Sequence, residues 1–378
     1  MKFSKGQSIL ILISILIILF TSIFFIFEIK LLKSYSNSFN YSFQKFAFLL
    51  DKNRISDTSN SYNPKRIEII RMIFGGDIMM GRGLDKYFKV FGYDYPFLKI
   101  QDLFLKINWD IVYANLEGPI IKDAPSIKPF SFVFGFSPNI IYTLKKYNFN
   151  LLNIANNHIT NYGKEGVLST RLYLKENGIE TLGDNYKCDL SYSFKKNNFL
   201  FLGINLIPFN QNCVDELINT IKTVKKEKNY FVIVTLHWGN EYQKKPNEYQ
   251  RKIAHQLIDS GTDLIIGHHP HVIQPIELYH QKLIFYSLGN LVFDQFFSQD
   301  TQTSLLIGFE FTPQAQTYYL FPLKSTFGQL DYMSPEEELE FFNKLSENSS
   351  PELKEMIKDG KIIIKTLDNF FSMSKINN

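Results

Sequence analysis

The feature that most constrains this chain is a repeated ending: short apolar runs that each stop on a residue able to bind a metal or move a proton. Residues 262–271 (TDLIIGHHPH) show it plainly, with three aliphatic positions before Gly267 and then His268, His269 and His271. Aliphatics bounded by Gly and Pro read as a buried strand, so the histidines fall just beyond its carboxyl end. Residues 67–74 end in the same way on Gly75-Gly76-Asp77, and 109–114 on Asn115-Leu116-Glu117. Residues 149–155 end on Asn156-Asn157-His158, and 230–236 on His237-Trp238-Gly239.

Between these runs lie stretches with helical spacing, at 138–147, 164–177, 215–228 and 246–260. Residues 191–204 alternate like a hairpin turning at 196–198, and a second hairpin turns at 279–282. Strands alternating with helices predict an α/β sandwich, with parallel pairs where helices cross over. A domain over 65–300 follows. The remainder, 301–378, holds two more strand-like runs (LLIGFEF and YYLFPLKS) and two charged helical segments expected to cap the same domain. A parallel sheet gathers its strand ends onto one edge, which brings the chemistry-bearing residues into one crevice.

That crevice would hold carboxylate and amide oxygen with imidazole nitrogen and no thiolate. Such a donor set suits one or two divalent ions such as Mn, Zn or Fe. A bridging carboxylate would hold two ions roughly 3.5–4 Å apart, an arrangement that activates water and clamps an oxyanion during hydrolysis. Taken singly, each residue has an ordinary explanation: Asp77 as a helix cap, Asn157 as a turn former, His158 as a local hydrogen-bonder. Recurrence at successive strand ends favours the shared site. His255, within a helix, and His280, in a hairpin turn, are expected to be exposed polar residues. Arg82 either grips a carboxylate or phosphate with its forked guanidinium or forms a surface salt bridge. Lys122 and Lys128 would add positive charge at the mouth.

The chain's 378 residues are 45% hydrophobic and 16% aromatic, enough for a substantial core. Residues 8–29 (SILILISILIILFTSIFFIFEI) carry one charge, Glu28, at their far end. About twenty apolar residues match a bilayer's hydrocarbon core, and no A-x-A-like cleavage triplet follows. Residues 1–33 therefore read as an uncleaved membrane anchor and the Ser- and Asn-rich 34–64 as a linker. Lys2 and Lys5 precede the anchor and Lys30 and Lys33 follow it, a slight lean toward a cytoplasmic amino terminus and an extracytoplasmic domain. Residues 1–33 hold four lysines and one glutamate, leaving only +1 of the chain's +4 formal charge elsewhere. Nucleic-acid binding by charge alone is excluded. Cys188 and Cys213 either pair or stay free, and two cysteines cannot form a disulfide framework or a four-thiolate zinc site.

The blocks GGDIMMGRG (75–83), ANLEGPI (114–120), NIANNHITNYGKEGV (153–167), GIETLGD (178–184), TLHWGNEY (235–242), GTDLIIGHHPHVIQPIE (261–277) and FYSLGNLVFD (285–294) together resemble a known family. It is the bacterial capsule synthesis protein CapA family, associated with poly-γ-glutamate production, within the calcineurin-like metallophosphoesterase superfamily. The resemblance implies a metallophosphoesterase sandwich of mixed sheets flanked by helices. It also implies metal ligation by Asp77, Glu117, Asn157, His237, His269 and His271, with His158 as acid or transition-state stabiliser. The chain departs from the superfamily pattern where an Asp-x-His motif reads Asp77-Ile78-Met79 and where the bridging aspartate motif reads Asn115-Leu116-Glu117. Two roles are consistent with the resemblance. One is a membrane-anchored hydrolase or transferase acting on an anionic polymer such as poly-γ-glutamate. The other is a non-catalytic polymer-binding partner of capsule synthetase subunits.

Overall fold

The computed structural model describes residues 69–123, 131–183, 188, 190, 193–228 and 230–365. The expected anchor and linker, and Lys128, lie outside the described residues. No helix among the described residues is long and apolar enough to cross a membrane.

The chain begins with β1 (Ile70–Ile78), α1 (Asp85–Phe91), α2 (Gln101–Leu105), β2 (Ile111–Leu116), α3 (Ile140–Lys146), β3 (Leu151–Asn153), α4 (Gly163–Glu176) and β4 (Glu180–Leu182). Next come β5 (Phe194–Lys196), β6 (Phe199–Asn205), α5 (Gln211–Glu227), β7 (Phe231–His237), α6 (Glu248–Asp259) and β8 (Leu264–His268). The strands β9 (Ile276–Tyr279), β10 (Lys282–Phe285), β11 (Asn290–Val292), β12 (Thr303–Phe311), β13 (Ala315–Thr326) and β14 (Gln329–Tyr332) follow. The last elements are α7 (Pro335–Asn348), α8 (Lys354–Lys358) and β15 (Lys361–Lys365).

Two mixed sheets result. The first runs β14-β13-β12-β1-β2-β3-β4, with β11 paired to β1 and β15 to β13; the second runs β5-β6-β7-β8-β10-β9. β1 to β4 are parallel neighbours, as are β6, β7 and β8, while β12 to β15 add antiparallel pairs to the first sheet. The core between the sheets takes Phe74 and Tyr113 from the first and Phe201, Ile233 and Ile266 from the second. Alternate residues of β6 and β7 (Leu200, Leu202, Val232, Val234) face outward onto Val214 and Leu217 of α5 and Ile253 and Leu257 of α6. Both strands are thus covered on both faces, which is why β7 reads as an unbroken apolar run and why β6, expected to alternate within a hairpin, is instead apolar on both faces. A capping box at Asn247 and Gln250 starts α6, and another at Ser334 and Glu337 starts α7.

The register is what positions the crevice. In the first sheet Asp77 lies beside Asn115 and Asn115 beside Asn153; in the second, Asn205 lies beside His237 and His237 beside His268. The sequence pattern ends the first strand at Phe74, but β1 continues to Ile78 after its pairing shifts between Phe74 and Asp77. Gly76 makes this possible, because a Cβ there would stand 1.9 Å from the Gly289 carbonyl oxygen. The close approach lets the Asp77 N–H donate to that oxygen at 3.0 Å and pairs Asp77 with Asn290 of β11. Cys188 and Cys213 are disulfide-bonded, their Cα atoms 5.3 Å apart.

Candidate metal centre

Asp77 is fully buried, and its carboxylate is shared between neighbours. Oδ1 accepts from Asn115 Nδ2 at 2.8 Å, and Oδ2 accepts from the His269 backbone N–H at 3.2 Å. The Asn115 Oδ1 accepts in turn from Asn153 Nδ2 at 2.9 Å and Asn156 Nδ2 at 3.3 Å. Asn156 Oδ1 then receives the backbone N–H groups of His158 and Ile159, at 3.2 and 2.9 Å. This chain of amides fixes the turn that carries Asn157 and His158. An amide at 115, where a carboxylate would repel Asp77, donates to it instead.

From the second sheet, His237 reaches the same place, with Nδ1 3.3 Å from Asn115 Nδ2 and Nε2 2.8 Å from Asn157 Oδ1. His268 turns toward the core, Nε2 lying 3.0 Å from the Tyr113 hydroxyl and Nδ1 3.3 Å from Asp77 Oδ1. The chain then takes His269 through φ 96° and His271 through φ 58°. Positive values cost a side-chain-bearing residue ~1–3 kcal/mol each. That strain aims both imidazoles inward. His271 Nδ1 lies 3.0 Å from Asn290 Oδ1 and 3.4 Å from Asp77 Oδ2, and its Nε2 lies 3.7 Å from Glu117 Oε1.

His158 Nε2 stands 3.7 Å from the same Glu117 oxygen, and its ring stacks on Phe134 at 3.9 Å. Its Nδ1 lies 3.2 Å from Asn161 Oδ1, an atom that also accepts the Phe134 N–H at 2.6 Å. An acceptor there requires the His158 proton on Nδ1, leaving the Nε2 lone pair facing Glu117.

Among the described residues, two groups of donors could each close on an ion: Asp77 with Glu117 and His237, and Glu241 with His269 and His271, in each case with ligand atoms within 4.8 Å of one another. Both Glu117 carboxylate oxygens and His269 Nδ1 are buried without a hydrogen-bond partner. Buried polar atoms are rarely left so, and a cation would satisfy them. The residues fit the group. Burial raises the Glu117 carboxyl well above its ordinary range despite the nearby His271 charge. Burial pushes Asp77 the same way, but hydrogen bonds and charge from His268 and His271 outweigh it and hold that carboxyl well below. Burial, with His269 adding repulsion, lowers His237 well below the ordinary imidazole value. His269 falls to about 3 through burial and the charge of His271, and burial also lowers His158. These imidazoles are neutral near pH 7, as ligation requires. For His271 burial is outweighed by Glu117 and Asp77, and its pKa rises to about 9.

The structure gathers Asp77, Glu117, Asn157, His158, His237, His269 and His271 in this crevice. Arg82 is directed elsewhere. Its Nε donates to both Asp294 oxygens (3.0 and 2.9 Å), a terminal nitrogen pairs with Asp294, and the other donates to the Ser131 carbonyl at 2.7 Å. A fork so occupied, with its side chain 8% exposed, has little left for a substrate. Lys122 is exposed. His255 differs from expectation in being half-buried, with Glu277 at 2.7 Å, whereas His280 is exposed as expected, 3.4 Å from Asp259. Glu241 carries no strand-end signature, since it lies in a loop four residues past His237, and so it escapes the pattern that marks the others.

Fold and site together define a two-sheet α/β protein with an imidazole–carboxylate centre at the carboxyl ends of its parallel strands. Residues 71–295 match the family described as bacterial capsule synthesis protein PGA_cap, and the chain belongs to that family. It is 32% identical over 262 residues to the capsule biosynthesis protein CapA of Bacillus anthracis, covering 63% of each chain. It is also 32% identical over 259 residues to the PGA biosynthesis protein CapA of Bacillus subtilis, covering 63% of this chain and 67% of that one. The alignment thus spans less than two thirds of the B. anthracis relative. Among solved structures, a phosphatase from Mycoplasma pneumoniae aligns over 70% of this chain and 91% of its own, with 14% identity and a TM-score of 0.40.

Proposed function

We propose that this chain is a membrane-anchored, extracytoplasmic protein of capsule or poly-γ-glutamate synthesis or export. In this reading it is a metal-dependent hydrolase or transferase of metallophosphoesterase type, working on an anionic polymer. The observation that carries the catalytic part is the buried Glu117 carboxylate, without a hydrogen-bond partner and grouped with Asp77 and His237. The polymer is suggested by the names of the two Bacillus relatives. The anchor rests on residues 8–29, and the disulfide suits an oxidising compartment.

Asp77, Glu117, Asn157, His237, His269 and His271 would hold one or two divalent ions, which supply a Lewis acid and an activated water. His158 is neutral and presents its Nε2 lone pair beside Glu117, so it takes a proton there or accepts a hydrogen bond from substrate. Its stacking on Phe134 and its bond to Asn161 hold that lone pair in place. The Asn115 and Asn153 amides hold Asp77 in place, while hydrogen bonds and charge from His268 and His271 keep it ionised against its burial.

One observation favours a second reading, a non-catalytic polymer-binding subunit of a membrane synthetase. Met79, fully buried, stands where the superfamily's first motif has an imidazole. The test is capsular polymer in a deletion strain complemented at equal expression with wild type, His158→Ala or His237→Ala. Catalysis predicts that both variants lose polymer processing, by roughly 10²–10⁴-fold for His158→Ala, which keeps its metal. Near-normal polymer from both rules catalysis out.

A further inference from the structure

Glu241, His269 and His271 share no residue with the group formed by Asp77, Glu117 and His237. We propose that they form a second, separately occupied cation position in which Glu241 is the carboxylate ligand; this rests on the metal-centre reading above.

The loop that carries Glu241 is built to hold it there. After His237 ends β7, the Trp238 N–H donates to the His268 carbonyl at 3.1 Å and its indole N–H to the Tyr286 carbonyl at 3.0 Å. Gly239 reverses the chain at φ +85°, with Gln250 side-chain atoms 2.6 Å from where a Cβ would stand. Beyond Glu241, the Tyr242 N–H donates to the Pro270 carbonyl at 2.8 Å, and Gln274 Nε2 donates to the Gln243 carbonyl at 2.8 Å. Glu241 is therefore fastened on both sides to the segment that carries the two imidazoles. One pair of loops positions all three donors, and His269 and His271 reach them through strained backbone.

The two positions differ in chemistry. The first offers two carboxylates and one imidazole, the second one carboxylate and two imidazoles. Imidazole-rich sites suit Zn²⁺, whereas carboxylate-rich ones accept harder ions such as Mn²⁺. Zn²⁺ is therefore the probe for the Glu241 position. Three protein donors also leave its coordination open.

The experiment takes the full-length chain in detergent, strips it with chelator and titrates it with Zn²⁺ by calorimetry, counting bound ions by elemental analysis. Wild type should bind two ions per chain. Glu241→Gln, which keeps the shape and loses the charge, should keep one at wild-type affinity and bind the other at least tenfold more weakly. Glu241→Asp should recover part of that loss. His237→Ala should show the reverse pattern, keeping the ion at Glu241 and losing its neighbour. Circular dichroism in chelator checks that each variant folds. Two ions at wild-type affinity in Glu241→Gln, loss of both ions in that variant, or a wild-type stoichiometry of one each overturns the inference. A folded wild type that binds no ion overturns the metal-centre reading itself, and this inference with it.

Discussion

Glu117 holds a carboxyl group in the interior with neither oxygen hydrogen-bonded, an arrangement that costs stability and makes sense only if something else satisfies it. Glu117→Gln should accordingly leave the chelator-treated protein as stable as wild type or up to ~1–2 kcal/mol more so, while cation affinity falls more than tenfold. A lower melting temperature of that variant in chelator would assign Glu117 a structural role instead. The protonation states also set a sign for pH. A cation must displace a proton from His271, whose pKa is about 9, and from the raised Glu117, so apparent affinity should climb between pH 6 and 9. A flat titration over that range would refute it. In the metal-free protein, His269 is lowered to about 3, so the unfolded chain takes up its proton first and stability falls as pH drops from about 6.5 toward 3. His271 acts oppositely: its contribution is complete below about 6.5 and is lost as pH rises through about 9. Urea unfolding in chelator at pH 4, 6.5 and 9 should therefore give its highest midpoint at 6.5. The donors at strand ends were legible in the sequence because apolar runs announce them. For Arg82 the salt-bridge alternative was legible but its partner was not, because Asp294 lies 212 positions away and no local pattern links them.

Elements long enough to show a period, such as β7, β8, α5 and α6, are visible in the sequence. β4 and β11, three residues each, carry no period and exist because neighbouring strands pair with them. β11 matters most, since its approach to β1 depends on Gly76. Gly76→Ala would push a methyl into the Gly289 backbone, which cannot withdraw as a flexible side chain can. We expect a loss of ~2–4 kcal/mol, together with weaker cation binding as Asp77 shifts. Gly92 is the control. Its backbone (φ 81°, ψ 165°) lies in a region kept almost wholly to glycine, but a Cβ there would meet nothing within 4 Å, so Gly92→Ala should cost ~1–3 kcal/mol from backbone strain alone and leave cation binding unchanged. Equal effects of the two substitutions on cation affinity would show that the β1–β11 contact is not the cause.

At the scale of the whole molecule, the α/β class followed from alternating strands and helices. The sheet order did not, because β12 to β15 join the first sheet through antiparallel pairs that no sequence period encodes. The topology proposed for the full chain has a direct test: a carboxy-terminal reporter that works only in the cytoplasm should be silent, and strong signal from it would refute the extracytoplasmic placement. A truncation beginning near residue 60 should be soluble. The division of the centre between the sheets carries a mechanical consequence. Asp77 belongs to one sheet, Glu117 directly follows β2 of that sheet, and His237 ends β7 of the other, so an ion gripped by all three would rivet together layers otherwise held by side-chain packing and a few hydrogen bonds. At a hundredfold excess over its dissociation constant, such an ion would add ~2.7 kcal/mol to stability. The centre would also behave as a strain gauge. Pressure, cold or a core substitution that lets the layers slide by a fraction of an ångström should register first as faster ion release, while both sheets still keep their hydrogen bonds.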